Sequence, residues 1–93
     1  MAELPDYITE GDGFVDVTLA RPAMIAGVKQ SVVRMREPTV NDQIAAKRSG
    51  NNDGVQEEIF LIAHLAQTAP DDLKAMIYRN YKRLQVALLS FID

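Results

Sequence analysis

The residues that could carry out chemistry in this chain are few and lie far apart along the sequence. His64 is the only histidine and there is no cysteine, so neither a two-histidine metal site nor a Ser-His-Asp relay can form without partners supplied by the fold. Because the residues from Ile59 to Leu65 around it are apolar, we interpret His64 as a structural or surface histidine on an apolar helix. The sequence therefore predicts no catalytic residue, no cofactor site, no metal site and no enzymatic activity.

Two other groups of residues resemble ligand sites but lack the required spacing. Asp71 and Asp72 are adjacent, so on a helix they do not face each other, whereas acidic residues in a first turn stabilise the helix N-terminus. The loop over residues 51–54 lacks the third alternating oxygen ligand and the distant glutamate of a calcium loop. The glycines also lack the spacing of a phosphate-binding loop.

A stretch over residues 78–83 alternates aromatic and basic side chains, as single-stranded nucleic-acid binders do. On the helix predicted here, an apolar stripe consists of Tyr81, Leu84, Leu88 and Phe91. Tyr81 is then a core anchor, and Lys82 and Arg83 form a solvated face. The net charge of −3 and the pI near 5.0 also argue against a nucleic-acid partner.

These candidate residues must be positioned by a small fold, because 93 residues are enough for one domain but not for two. The first thirteen residues carry four acidic side chains and no basic one, which predicts a poorly ordered acidic tail over residues 1–13. No apolar run approaches the roughly 18 residues that span a bilayer, and no signal segment is visible. We therefore expect a single α+β domain over residues 14–93 with no membrane association.

Strand-like patterns begin directly after the tail. Apolar and polar residues alternate from Phe14 to Leu19, and the segment from Val28 to Arg36 is rich in β-branched residues. They predict a β-hairpin over residues 14–36. Because Pro22 cannot donate a backbone hydrogen bond, pairing should break near it, which predicts a connection longer than a two-residue turn.

The rest of the chain reads as helices that pack against this hairpin. Thr39 and Asp42 resemble a capping box, and Asn80 is positioned to cap the last helix. The predicted helices cover residues 40–48, 55–67, 70–78 and 81–92. The predicted fold is thus an α+β domain with an N-terminal β-hairpin packed against a small bundle of about four helices.

The second and fourth predicted helices carry more apolar surface than so small a domain can enclose. Two interpretations of this apolar surface stay open: it is ordinary core, or it forms a surface for a partner helix or for self-association. The residues that we assign to such a partner-binding surface are Phe60, Leu61, Leu65, Val86, Leu89 and Ile92.

The run from Met35 to Asp42, followed by Ala45-Ala46, resembles the arginine-x-proline-threonine-x-x-aspartate signature of the small tail assembly chaperones of contractile-tailed, Mu-like phages. The similarity covers about residues 14–92. It continues through Glu57-Glu58-Ile59, Ile62-Ala63-His64-Leu65, Pro70-Asp71-Asp72-Leu73 and Tyr81-Lys82-Arg83-Leu84. Asn80 departs from the aspartate expected before the last helix, although both residue types cap helices.

This resemblance implies a non-enzymatic morphogenesis factor that binds the phage tape measure protein in the host bacterial cytoplasm. It further implies assistance to tail tube assembly, absence from the mature virion and, in many members, a frameshifted longer form that recruits tail tube subunits. A homo-oligomer is compatible with it. The alternatives are a structural tail-completion or other minor virion protein and a small DNA-binding regulator, which the acidic balance disfavours.

Overall fold

A computed structural model describes residues 4–92 of the chain. A three-stranded antiparallel sheet is followed by four helices, which confirms the predicted α+β class. The strands are β1 (Ile8–Gly11), β2 (Phe14–Ile25) and β3 (Val28–Arg36), and the helices are α1 (Val40–Ser49), α2 (Gly54–Ala66), α3 (Pro70–Ala75) and α4 (Tyr78–Ser90).

The sheet has the order β1-β2-β3, and one of its faces forms half of the hydrophobic core. The alternation in β2 is the reason, since Val15, Val17 and Leu19 are all buried while the intervening side chains are more exposed. Met35 pairs with Val15 across the ladder and is also fully buried. Helices α2 and α4 cover this face with Ile62, Leu84 and their apolar neighbours.

The connection between β2 and β3 is shorter than the sequence predicts. Ile25 pairs with Val28, so Ala26 and Gly27 form a two-residue turn, and both have positive φ (53° and 77°), as a type I′ turn requires. The prediction of a longer connection was wrong because the pairing break near Pro22 is absorbed inside β2. Pairing passes from Thr18 opposite Val32 to Ala23 opposite Gln30, and the extra residues of β2 bulge out.

The acidic segment before the hairpin is partly a strand. Ile8 to Gly11 pair with β2, from Ile8 opposite Val17 to Gly11 opposite Phe14. This differs from the predicted poorly ordered tail over residues 1–13, since Ile8 is buried in the core and the strand is held through backbone hydrogen bonds that composition does not reveal. The part of the predicted tail over residues 1–3, and Asp93 at the other end, lie outside the described residues.

Helices α1 and α2 agree with the predicted bounds to within one residue, and Thr39 and Asp42 form the predicted capping box. The later bounds differ. Helix α3 ends at Ala75 because Met76 and Ile77 adopt extended backbone, and α4 begins at Tyr78 rather than at residue 81. The prediction that Asn80 caps α4 was wrong, since Ile77 is the N-cap and Asn80 lies inside the helix with its side chain buried.

Candidate protein-binding surface

The strongest candidate for a binding surface is the outward face of α4. Tyr78, Lys82, Gln85, Leu89 and Ile92 follow one another at spacings of three or four residues, so they share one side of the helix and its C-terminal extension. We call these five residues the α4 surface. The side chains of Tyr78, Leu89 and Ile92 are 69%, 66% and 60% exposed. Large apolar side chains aligned in this way on a helix face are typical of protein-interaction sites.

A groove flanks the first turn of α4, and we call it the Tyr78 groove. It has a volume of about 390 Å³ and lies where α2, α3 and α4 meet. Its walls are mainly apolar, with Val55 and Ile59 from α2 and Met76 from the α3–α4 junction. Lys74 is the basic residue of its lining, and the ammonium group of Lys82 lies 5.8 Å from the centre of the Tyr78 ring.

A second groove flanks the end of α4, and we call it the Leu89 groove. It has a volume of about 280 Å³ and lies where α1, the first half of α2 and the end of α4 meet. Leu61, Leu89 and Ile92 supply apolar walls, while Glu57 and Glu58 of α2 supply the acidic part of the lining. Both grooves are therefore open to an apolar side chain, but their charged borders have opposite sign.

Glu58 holds α2 and α4 together between the two grooves. One of its carboxylate oxygens, Oε1, accepts a hydrogen bond from the Tyr81 hydroxyl at 2.8 Å and another from Gln85 Nε2 at 2.6 Å. Burial and the neighbouring Glu58 carboxylate both raise the pKa of the Tyr81 hydroxyl, so this group stays protonated and continues to donate. The α4 surface is thus built on a fixed pair of helices.

The structure brings together three of the six residues that the sequence assigns to a partner-binding surface. Leu61, Leu89 and Ile92 line the Leu89 groove, and the last two are exposed. Leu65 is only 2% exposed and belongs to the core. It cannot contact a partner unless the core opens.

The other two predicted residues lie apart from this groove. Val86 packs against the core, and Phe60 lines a different cavity between α1 and α2, together with Ala45 and His64. Their role in binding stays a prediction.

Sequence reasoning missed two exposed residues of this region, Tyr78 and Val55. Val55 is 68% exposed and lines the Tyr78 groove. Because the sequence places the start of the last helix at residue 81, Tyr78 falls outside its stripe. A helix beginning at Tyr78 places residues 78, 82, 85 and 89 on one side, and that spacing was the available signal.

The residues of the arginine-x-proline-threonine-x-x-aspartate motif lie away from the α4 surface and connect three elements. The Asp42 carboxylate, which is buried, accepts hydrogen bonds from two guanidinium nitrogens of Arg36 at 2.6 and 2.8 Å and from the backbone N–H of Thr39 at 2.8 Å. His64 Nε2 of α2 lies 3.1 Å from the same carboxylate. The motif thus joins β3, α1 and α2, and His64 is a surface residue of this cluster.

The aromatic and basic stretch over residues 78–83 does not present one continuous face. Arg83, predicted to be solvated, donates a hydrogen bond to the backbone oxygen of Thr18 at 2.9 Å and lies over the Tyr7 ring at 4.3 Å. Arg83 therefore helps to pack α4 on the sheet, and Lys82 belongs to the α4 surface. Tyr81 packs against the core, as the sequence predicts.

Within residues 4–92, no three His, Cys, Asp or Glu side chains are grouped so that they could hold a metal ion. None of the helices in the described part of the chain is long and apolar enough to cross a membrane. What the α4 surface offers is apolar area with charged borders, which suits the binding of another polypeptide.

Comparison with protein families gives a match over residues 16–93 to the family described as phage tail assembly chaperone proteins, E, or 41 or 14. The match includes β3, all four helices and nearly all of β2. No curated protein and no solved structure matches the chain.

Proposed function

This chain belongs to the phage tail assembly chaperone family, and from that premise we propose that it binds the tape measure protein and assists assembly of the tail tube. The role is non-enzymatic, because it consists of covering apolar segments of a client until the client is assembled. The observation that supports the proposal is the α4 surface, where Tyr78, Leu89 and Ile92 expose apolar side chains along one side of α4 and its C-terminal extension.

The form of the α4 surface suits a helical client. An amphipathic helix can lie along α4 and place its apolar side chains in the Tyr78 groove and the Leu89 groove, which is the helix-in-groove mode of recognition. The surface from Tyr78 to Ile92 spans about 21 Å at 1.5 Å per residue. A client segment of about 14 helical residues would therefore cover it.

The test is co-expression with the tape measure protein encoded by the same phage or prophage, followed by pull-down at low and high salt. The test variant carries Tyr78→Ser and Leu89→Ser. Since both side chains are about two-thirds exposed and burial of such a side chain contributes about 1.5–3 kcal/mol, each loss costs about 1–2 kcal/mol. Together they should weaken client binding about 30- to 700-fold.

The matched control is Val40→Ser, because Val40 is 78% exposed at the start of α1 and is not part of the α4 surface. Wild-type protein and the control should keep the client in the supernatant at both salt concentrations, whereas the double variant should leave it in the pellet. Equal capture by a folded double variant, verified by circular dichroism, would remove the α4 surface from the proposal. No capture by wild type would refute tape measure binding itself.

We further place the chaperone in the host bacterial cytoplasm and outside the finished particle, since a factor that covers the client during assembly is released before the tube closes. Mass spectrometry of purified virions and of lysate from the same infected or induced culture separates the possibilities. The chaperone should be abundant in the lysate and absent from virions. Its presence in virions at a fixed stoichiometry would instead support a tail-completion or other minor virion protein.

Recruitment of tail tube subunits is assigned in this proposal to a frameshifted longer form of the chain. The same lysate should then contain peptides that continue past the present C-terminus in another reading frame. Pull-down on the longer form should capture tube subunits, and pull-down on the 93-residue form should not. Capture of tube subunits by both forms equally would contradict this division of roles.

A further inference from the structure

Three basic residues surround Tyr78 at the start of α4. Arg79 follows Tyr78 directly, and the ammonium group of Lys82, one turn further along α4, lies 5.8 Å from the centre of the Tyr78 ring. Lys74 of α3 lines the Tyr78 groove. All three side chains are exposed, and we call Lys74, Arg79 and Lys82 the basic cluster. It places local positive charge on a chain whose net charge is −3.

The basic cluster has no acidic partner among residues 4–92. In that part of the chain, ion pairs join carboxylates to other basic residues, namely Arg34, Arg36, Lys47 and His64. A surface arginine or lysine with no internal partner keeps its charge available to a binding partner. The cluster can therefore contribute attraction that the folded chain does not already use.

The carboxylates of the adjoining helices α2 and α3 are engaged elsewhere. Glu57 pairs with Lys47, and Glu58 accepts hydrogen bonds from Tyr81 and Gln85. Asp72 accepts a hydrogen bond from the backbone N–H of Ala26 at 3.1 Å. Asp71 lies in the first turn of α3, where an acidic side chain stabilises the helix.

Stability of α4 itself does not account for the basic residues at its start. The first turn of α4 contains no acidic residue, and its N-cap, Ile77, makes no side-chain hydrogen bond. A positive charge there, such as that of Arg79, is unfavourable next to the helix dipole. Arg79 and Lys82 are also three residues apart, so they are neighbours of like charge on the helix surface. Carboxylates from a bound partner would offset both effects.

The surroundings of the basic cluster suit a polypeptide better than a nucleic acid. Single-stranded nucleic acid stacks successive bases on exposed aromatic rings, but Tyr81 packs against the core and its hydroxyl is held by Glu58. The cluster instead borders a groove with aliphatic walls from Val55, Ile59 and Met76. Such a groove accepts one apolar side chain, while the basic residues beside it attract carboxylates.

We propose that the client segment covering the first turns of α4 is an acidic amphipathic helix. One of its apolar side chains enters the Tyr78 groove, and carboxylates next to that side chain contact Lys74, Arg79 and Lys82. This inference rests on the proposed function, because it names the chemistry of the client that the α4 surface binds. It also gives selectivity, since a basic segment of equal hydrophobicity is repelled at the same place.

The test uses two fluorescent peptides of about 14 residues, the length that spans the α4 surface. Both carry leucine at every third or fourth position and are held helical by a hydrocarbon staple. The positions beside the leucines are glutamate in the acidic peptide and lysine in the basic peptide. Fluorescence anisotropy should show that wild type binds the acidic peptide about tenfold more tightly at low salt. The difference should shrink at high salt, because exposed charges are screened.

The test variant is R79E/K82E. Acidic residues suit the N-terminal half of a helix, so this variant should melt at no lower a temperature than wild type. It should nevertheless bind the acidic peptide about tenfold more weakly than wild type does, and the basic peptide more tightly. The matched control is K29E/R48E, which makes the same change in net charge at two exposed positions of β3 and α1. The control should keep the preference of wild type.

Three results would overturn the proposal. The first is equal binding of the two peptides by wild type, or binding of neither. The second is an unchanged preference in folded R79E/K82E, or the same loss of preference in K29E/R48E. The third is tighter binding of a single-stranded DNA oligonucleotide than of the acidic peptide, which would assign the basic cluster to a nucleic acid.

The outcomes also separate this inference from the proposed function. A wild-type chain that captures the tape measure protein but binds both peptides equally would overturn the acidic client and leave the proposed function intact. Preference for the acidic peptide without capture of the tape measure protein would support the inference and contradict the proposed client. If both hold, R79E/K82E should capture less tape measure protein than K29E/R48E at low salt.

Discussion

Replacement of Asn80 by aspartate should destabilise the protein strongly at neutral pH and much less in acid. Asn80 is 1% exposed and contacts Arg21 in the bulge of β2. Its oxygen accepts a hydrogen bond from the Arg21 backbone N–H at 3.1 Å, and its nitrogen donates to the Arg21 backbone oxygen at 2.8 Å. In a regular ladder the backbone N–H and C=O of Arg21 would bond to β3, but the bulge removes that partner. The Asn80 amide side chain bonds to both groups instead.

The magnitude follows from these two bonds. Asn80→Asp keeps the side-chain volume and the acceptor, but the ionised carboxylate cannot donate to the Arg21 oxygen and repels it. Loss of one hydrogen bond costs about 1 kcal/mol, and leaving its buried partner unpaired costs about 1–3 kcal/mol. The variant should therefore be about 2–4 kcal/mol less stable than wild type at pH 7.

Protonation restores the missing donor, so the pKa of the new carboxyl should be raised in the folded state above the usual value of about 3.9. A group whose folded pKa is raised stabilises the fold below its unfolded pKa, and this stabilisation is lost as pH rises through the folded pKa. The deficit relative to wild type is then full at pH 7 and small near pH 4.

The assay is urea denaturation followed by circular dichroism at both pH values, for wild type, Asn80→Asp and the control Asn80→Ala. The alanine variant lacks both bonds at either pH, so its deficit of about 2–4 kcal/mol should not change with pH. An aspartate variant within 0.5 kcal/mol of wild type at pH 7, or with equal deficits at both pH values, would refute the assigned hydrogen bonds.

Three further predictions concern the turn, the buried carboxylate and the α1–α2 connection. Ala26→Asn should stabilise the protein by about 0.5–1 kcal/mol in urea denaturation, because Ala26 has a φ of 53° that asparagine tolerates better; a loss of stability would contradict the type I′ turn. The hydrogen bonds from Arg36 hold the pKa of Asp42 well below its usual range, so Asp42 stabilises the fold above about pH 4 and this contribution is lost as pH falls. Asp42→Asn should lower the free energy of unfolding by about 1.5–3 kcal/mol at pH 7 and by less at pH 2, as measured by paired thermal melts. A loss of stability that is equal at both pH values would exclude the ion pair. Gly50→Ala should lower the free energy of unfolding by about 1–3 kcal/mol, because the added Cβ would lie 2.7 Å from the Glu57 backbone nitrogen. Unchanged stability in the same melts would show that the connection between the helices can adjust.

The sequence was sufficient for the parts of the fold where the spacing of apolar residues and the cap chemistry agree. Alternation from Val15 to Leu19 predicted the buried face of β2, and Thr39 with Asp42 predicted the start of α1. These signals are local, because each depends on residues within one strand or one helical turn.

The parts that the sequence did not reveal depend on contacts between distant residues. Strand β1 is paired through its backbone, and only Ile8 of its four residues is buried. Pairing does break near Pro22, as predicted, but the break lies inside β2 rather than in the connection to β3. Asn80, 59 residues from Arg21 in the chain, satisfies the backbone there. Asn80 makes this long-range contact from inside α4, so it is not the N-cap. The helix begins at Tyr78 rather than at residue 81.

The residues of the arginine-x-proline-threonine-x-x-aspartate motif and the exposed apolar residues proposed to bind a client are different sets. Arg36, Thr39 and Asp42 join β3 to α1 and approach α2 through His64, so their task is to hold the fold. The α4 surface carries none of them, and its exposed apolar side chains contribute little to the core. The motif is therefore readable from residues that hold the fold, while the client contacts proposed above involve Tyr78, Leu89 and their neighbours. Because the two tasks use separate residues, substitutions on the α4 surface should change binding at small cost in stability, and this separation is what makes the double variant a clean test of function.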